Sequence, residues 1–250
     1  VGFLASCGVM AVPVYKKPRV AIVAIGSELV EPPALPTPGK IRNSNSYALA
    51  ACALAAGAVP TMLPIVEDTR EALAAAVDAA TRAYDFVVTS GGASNGDYDF
   101  IKPVVEELGE LLLTNVNMRP GKAQTFGLVN GTPVFGLPGN PAAAYCGFEL
   151  IVRPALRKMQ GFLAYGRPVV QARLARDVKK RDPRRFFVRA TLSRDGEGLV
   201  ATPDKNQSSG SFGVLQRSTC LVVLPEGSGP KAAGEVVDCL LLDVPEGIVL

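Results

Sequence analysis

The sequence predicts an α/β protein in which a mostly parallel sheet, covered by helices on both sides, is followed by a small all-β domain. Three observations carry that expectation. The chain has 250 residues and 48% hydrophobic content, enough for a full core and at the size where one core begins to divide into two. Between Arg19 and Gly161, short apolar runs alternate with helical patterns, as repeated β-α units do. Beyond Gly161 the helical patterns stop and β-prone runs follow one another. The expected divisions are 1–18, a linker with the tail of an upstream domain, 19–161, the α/β domain, and 162–250, the β domain.

In chain order, Val1 to Val9 reads as the end of an element that begins earlier. Val12 to Pro18 reads as extended linker, because Pro13 and Pro18 hold the backbone out of helix. Val20 to Ile25 is an unbroken apolar run ending at Gly26, as in a strand buried on both faces. Asn45 to Ala56, rich in Ala and Leu, predicts a helix that stops at Gly57. Met62 to Val66 predicts the next strand. Asp68-Thr69-Arg70-Glu71 then opens a helix to about Ala83, with Asp68 as its cap and Glu71 three residues on. Asp85 to Thr89 predicts a strand, Lys102 to Leu108 a short helix closed by Gly109, Pro133 to Leu137 a strand and Pro141 to Met159 a last helix. In the β domain the runs are Val169 to Leu174, Phe186 to Leu192, Leu199 to Thr202, Thr219 to Leu224 and Val236 to Leu242, with Asp195-Gly196 as a hairpin turn.

Composition narrows the chemistry. Histidine is absent, which excludes Ser-His and Cys-His nucleophilic catalysis and the commonest zinc sites. Five cysteines, an odd number with no CxxC pair, suggest neither a disulfide framework nor structural zinc, and fit a reducing cytoplasm. A net charge of +3 and the absence of Trp argue against a nucleic-acid partner. No apolar stretch approaches a bilayer span and no signal peptide is evident, so no membrane partner is expected.

Ligands of a parallel sheet bind off the carboxyl ends of its strands, so the loops there carry the candidate chemistry. Ser90 to Asp99 holds three glycines, two serines and two carboxylates. Gly91, Gly92 and Gly96 let backbone amides approach an anion, with Ser90, Ser94 and the following Lys102 nearby, and Asp97 and Asp99 suit Mg²⁺ beside a phosphate. Either carboxylate also suits a helix cap. Glu28, after Gly26, fits a metal ligand or a first-turn acid. Asn43, Ser44 and Asn45 fit a ligand pocket or a cap, and capping alone accounts for Asp68. Arg119-Pro120-Gly121-Lys122 puts two cations around a turn that suits phosphate or another oxyanion. Leu137-Pro138-Gly139-Asn140-Pro141 ends a strand and seats Pro141 at a first helical position. Each of these two loops also reads as a structural turn.

These loops in this order resemble the molybdopterin molybdenumtransferase family, of the MoeA and gephyrin E-domain type, over essentially the whole chain. Asn206-Gln207-Ser208-Ser209-Gly210, Leu224-Pro225 and Gly234-Glu235-Val236 fit its terminal domain. The resemblance implies a three-layer αβα domain of molybdopterin-binding type and a barrel-like β domain. It implies insertion of molybdate into adenylylated molybdopterin, with Mg²⁺-dependent release of AMP. Glu28, Asp68 and Asp99 would then belong to the metal and catalytic site, Arg119 and Lys122 would bind molybdate or phosphate, the Gly-rich loop would receive the pterin phosphate, and Asn45 would lie in the pterin pocket. A homodimer of the full-length form and a molybdopterin adenylyltransferase partner are implied as well. The sequence departs from the family at Ser27, Asn115, Ala123 and Ala143. The alternatives are the adenylyltransferase itself, which normally stands without the β domain, and a non-catalytic binding or scaffold fragment.

Overall fold

A computed structural model describes residues 1–92 and 100–244. Helix α1 (Gly2–Ser6) buries none of its residues, and a stretch without regular structure leads from it to the buried Pro18. Strand β1 (Arg19–Ala24) is buried at every position after the first. Its even residues, Val20 and Ile22, join one core, and Ala21, Val23 and Ile25 join another. That division is what a strand between two helical layers requires, since successive side chains point to opposite faces.

The two-residue strands β2 (Leu29–Val30) and β3 (Ile41–Arg42) pair in parallel, and helix α2 (Asn45–Ala55) follows. Strand β4 (Val59–Met62) begins earlier than the sequence suggests. The apolar run from Met62 contains Pro64, which has no N–H for a ladder, and regular pairing is interrupted until Val66 bridges Ile25. Helix α3 (Arg70–Ala83) corrects the expectation for Asp68: its N-cap is Thr69, whose hydroxyl accepts from the Ala72 N–H at 3.3 Å. Asp68 is turned instead toward the loop after β1.

Strand β5 (Phe86–Ser90) is wholly buried, and helix α4 (Ile101–Leu108) ends at Gly109 as expected. Besides the two-residue strands β2, β3 and, further on, β7 (Met118–Arg119), two full strands are not expected from the sequence. They are β6 (Gly109–Asn115) and β8 (Ala123–Val129), separated by β7. Strand β8 turns into β9 (Thr132–Leu137) through Asn130 and Gly131, both with positive φ, the Asn-Gly pair that two-residue hairpins favour. The sheet runs β4-β1-β5-β9-β8-β6, parallel through β9 and antiparallel beyond. The last helical segment comprises α5 (Pro141–Gly147), a π-helical turn (Phe148–Val152) and α6 (Arg153–Met159). Pro154 lacks an N–H and would crowd the preceding turn, and the wider π turn just ahead of it relieves that conflict.

The remaining strands are β10 (Val169–Leu174), β11 (Arg185–Asp195), β12 (Gly198–Pro203), β13 (Cys220–Leu224) and β14 (Val236–Leu241). They pair as β12-β10-β14-β13-β11, and β11 pairs back onto β12, closing a five-stranded barrel. Asp195 and Gly198 face each other across the hairpin turn expected at Asp195-Gly196. A helix not expected in this region, α7 (Phe212–Arg217), precedes β13. Strand β7 joins the barrel's sheet in parallel, with Met118 opposite Arg185 and Arg119 opposite Phe186. A cluster of Met118, Cys146, Leu221 and Leu242 seals the seam between the two sheets. No helix among the described residues is long and apolar enough to cross a membrane.

Candidate functional site

The loops after β1, β4, β5 and β9 meet the 121–123 turn around a cleft of about 670 Å³. Glu28 and Asp68 line it together with Gly91, Gly92, Pro138, Gly139, Asn140, Gly121 and Lys122. Gly91 has φ +91°, and a Cβ there would stand 2.2 Å from the Ile25 carbonyl oxygen, so only glycine allows the loop to cross β1 this closely. The Glu28 carboxylate lies back against Gly26, where a Cβ would meet its Oε2 at 2.6 Å. Asp68 Oδ2 accepts from the Ser27 N–H at 3.0 Å, and the Asp68 N–H donates to Ser27 Oγ at 3.3 Å. Both carboxylates are therefore anchored on consecutive residues of one turn.

Asn45 lines neither this cleft nor the next, but its Nδ2 donates to Ser90 Oγ and to the Gly139 carbonyl, each at 2.8 Å, tying α2 to the ends of β5 and β9. Asn43 is buried and its Oδ1 accepts from the Ser46 N–H, a capping contact, while Ser44 is the N-cap of α2 without a side-chain bond. Pro141 opens α5, and Lys102 sits half-buried in α4, where it lines neither cleft. Ser94, Gly96, Asp97 and Asp99 lie outside the described residues. Among the described residues no group of three or more carboxylate or thiol ligands converges. Two carboxylates nevertheless fit Mg²⁺, which takes one or two from a protein and completes its shell with water and ligand phosphate.

A second cleft, of about 1060 Å³, opens between the 119–121 turn and the barrel and shares Gly121, Asn140 and Ala143 with the first. Arg119 and Pro120 line this one. Its rim also carries Arg176, Lys179, Arg181, Arg184, Arg189 and Lys205 against Asp177 and Asp204, so the cleft is strongly cationic. Arg189 is 1% exposed; its Nη1 donates to the Ser208 carbonyl at 2.9 Å, its Nε has no hydrogen-bond acceptor, and burial lowers its pKa. Asp204 acts on this guanidinium only through space, without an ion pair among the described residues, and a buried guanidinium so placed is suited to an incoming anion. Asp182 is held well below the usual carboxylate range, first by Arg184 and then, more weakly, by Arg119 at 3.7 Å. Arg119 also lies over the Phe186 ring at 5.2 Å.

Sequence reasoning did not single out this cationic rim. The signal was present in residues 176–185, where six of ten residues are Arg or Lys. Burial pushes the Cys52 and Cys146 thiols up to about 12, so neither supplies a thiolate near neutral pH.

A parallel-sheet fold whose strand-end cleft is lined by carboxylates and glycines, joined to a barrel that adds a cationic cleft, is the kind of fold that suits an anionic, phosphate-bearing small molecule. Residues 21–158 match the family described as a probable molybdopterin binding domain, and residues 171–242 match the MoeA C-terminal region, domain IV. The chain belongs to this MoeA-type molybdopterin-binding family. It is 39% identical over 248 residues to the molybdopterin molybdenumtransferase of Bacillus subtilis (strain 168), covering 98% of this chain and 57% of that protein. It is 35% identical over 244 residues to that of Staphylococcus aureus (strain COL), covering 97% and 58%. A solved molybdopterin biosynthesis MoeA protein from Pyrococcus horikosii superposes with a TM-score of 0.83 at 32% identity, covering 96% of this chain and 58% of the other. The chain thus spans a little over half the length of these relatives.

Proposed function

We propose that this chain carries the substrate-binding and catalytic residues of a molybdopterin molybdenumtransferase. It would insert molybdate into adenylylated molybdopterin and release AMP. One observation carries the reading: the carboxylate-lined cleft and the cationic cleft share a wall at Gly121, Asn140 and Ala143, so a pterin nucleotide and an oxyanion bound one in each would lie side by side.

Gly91 and Gly92 bring backbone to the pterin phosphate, and Lys122, in the same cleft, offsets its charge. Arg119 and Arg189 hold molybdate from the second cleft. Glu28 and Asp68, with Asp99, would hold Mg²⁺, which when bound polarises a phosphoryl oxygen of the pyrophosphate link. The proposed setting is the cytoplasm, as a homodimer in the full-length form, with a molybdopterin adenylyltransferase as the partner that supplies substrate.

The test is AMP release from adenylylated molybdopterin by this chain with Mg²⁺, with and without molybdate. Molybdate-dependent release is expected, reduced at least tenfold in Asp68→Asn. Release that ignores molybdate would overturn the reading.

A further inference from the structure

The turn that holds both cleft carboxylates is itself held from outside by one lysine. Lys40 ends a connection between β2 and β3 that contains Pro32, Pro33, Pro36 and Pro38, and proline removes much of the freedom such a loop would otherwise have. The Lys40 ammonium donates to the Ser27 carbonyl at 2.5 Å, and the next residue, Ile41, donates its N–H to the Glu28 carbonyl at 2.9 Å. Successive carbonyls of the carboxylate-bearing turn are thus gripped by successive residues of the strap. On its other side, Ser27 exchanges two hydrogen bonds with Asp68.

We propose that Lys40 is a positioning residue: through Ser27 it fixes the turn that presents Glu28 and Asp68 to a divalent cation. The inference rests on the metal-site reading above and deepens it. Its sign separates it from simple electrostatics. A lysine near a cation site, acting only as a charge, repels the cation, so removing it would tighten binding. A lysine that organises the ligands does the opposite when removed, as outer partners of metal ligands do.

The experiment titrates Mn²⁺, as a paramagnetic stand-in for Mg²⁺, into the 250-residue protein without nucleotide and reads the free ion by electron paramagnetic resonance. Lys40→Met is expected to weaken binding about tenfold, and Lys40→Arg, which keeps a donor, to restore it. Lys40 is exposed, so Lys40→Met should fold, and a thermal melt checks this. Lys40→Gln serves as a second variant. Unchanged or tighter binding in Lys40→Met, alongside loss in Asp68→Asn, overturns the proposal and leaves the metal reading standing. No binding by the wild type, with Asp68→Asn indistinguishable from it, overturns both.

Discussion

At the scale of single residues, the strand-end cleft depends on a backbone approach that one methyl group would block. Gly91→Ala would set a Cβ against the Ile25 carbonyl in a positive-φ conformation, and we expect a loss of at least ~1 kcal/mol by urea unfolding. Gly139→Ala is the control: its nearest neighbour would be the Gly91 Cα at 3.6 Å, so stability should stay within about 0.5 kcal/mol. Arg189 makes a different kind of demand. Arg189→Met is expected to lower molybdate affinity, read by titration calorimetry, by the roughly 1.5–3 kcal/mol of a charged hydrogen bond, and Arg189→Lys should not restore it. Unaltered affinity in Arg189→Met would remove this residue from the anion site. The glycines were legible as turn positions because a turn's backbone requirement is local. Arg189 was not, because an arginine inside a β-prone run reads as an outward-facing strand residue until the fold buries it.

At the scale of elements, the sequence supported what periodicity encodes and missed what pairing decides. Buried β1, β5 and β9 and the helices between them stood out as apolar runs and capped segments. Strands β6 and β8 did not, although Asn130-Gly131 marks their side of the sheet, because β6 is largely exposed and its alternation is weak. Asp68 shows the limit of a local rule: the capping pattern was present, yet a contact to Ser27, distant in sequence, took the side chain and left Thr69 to cap. On the segment leading into β11, Asp182 binds Arg184 and approaches Arg119. Its folded pKa is depressed, so its contribution is complete above the unfolded value of ~3.9 and fades as pH falls through the lower folded value. Wild type should therefore exceed Asp182→Asn in melting temperature at pH 7, and the gap should close in progressively acid buffers. A gap independent of pH would show that the ion pairs are not its source.

At the scale of the whole molecule, two sheets with separate cores meet at the seam of Met118, Cys146, Leu221 and Leu242. The covalent link between α6 and β10 is exposed around Leu163, so the seam, not the link, should hold the halves together. A protease site inserted after Leu163 and then cut is expected to leave two fragments that co-elute in size-exclusion chromatography. Separation of the fragments would show the seam to be weaker than its burial implies. Met118→Ala, which empties part of that seam, should cost about 2–5 kcal/mol in chemical denaturation.

Strand β7 gives that seam a hereditary consequence. Arg119 precedes the α6–β10 link in the chain, yet its strand hydrogen-bonds into the barrel. A graft that exchanged only the residues after Met159 for those of a relative would separate Arg119 from the strand it evolved beside. A chimera is therefore expected to keep this pairing only where the 116–122 segment travels with its barrel, so the unit to exchange is discontinuous along the chain.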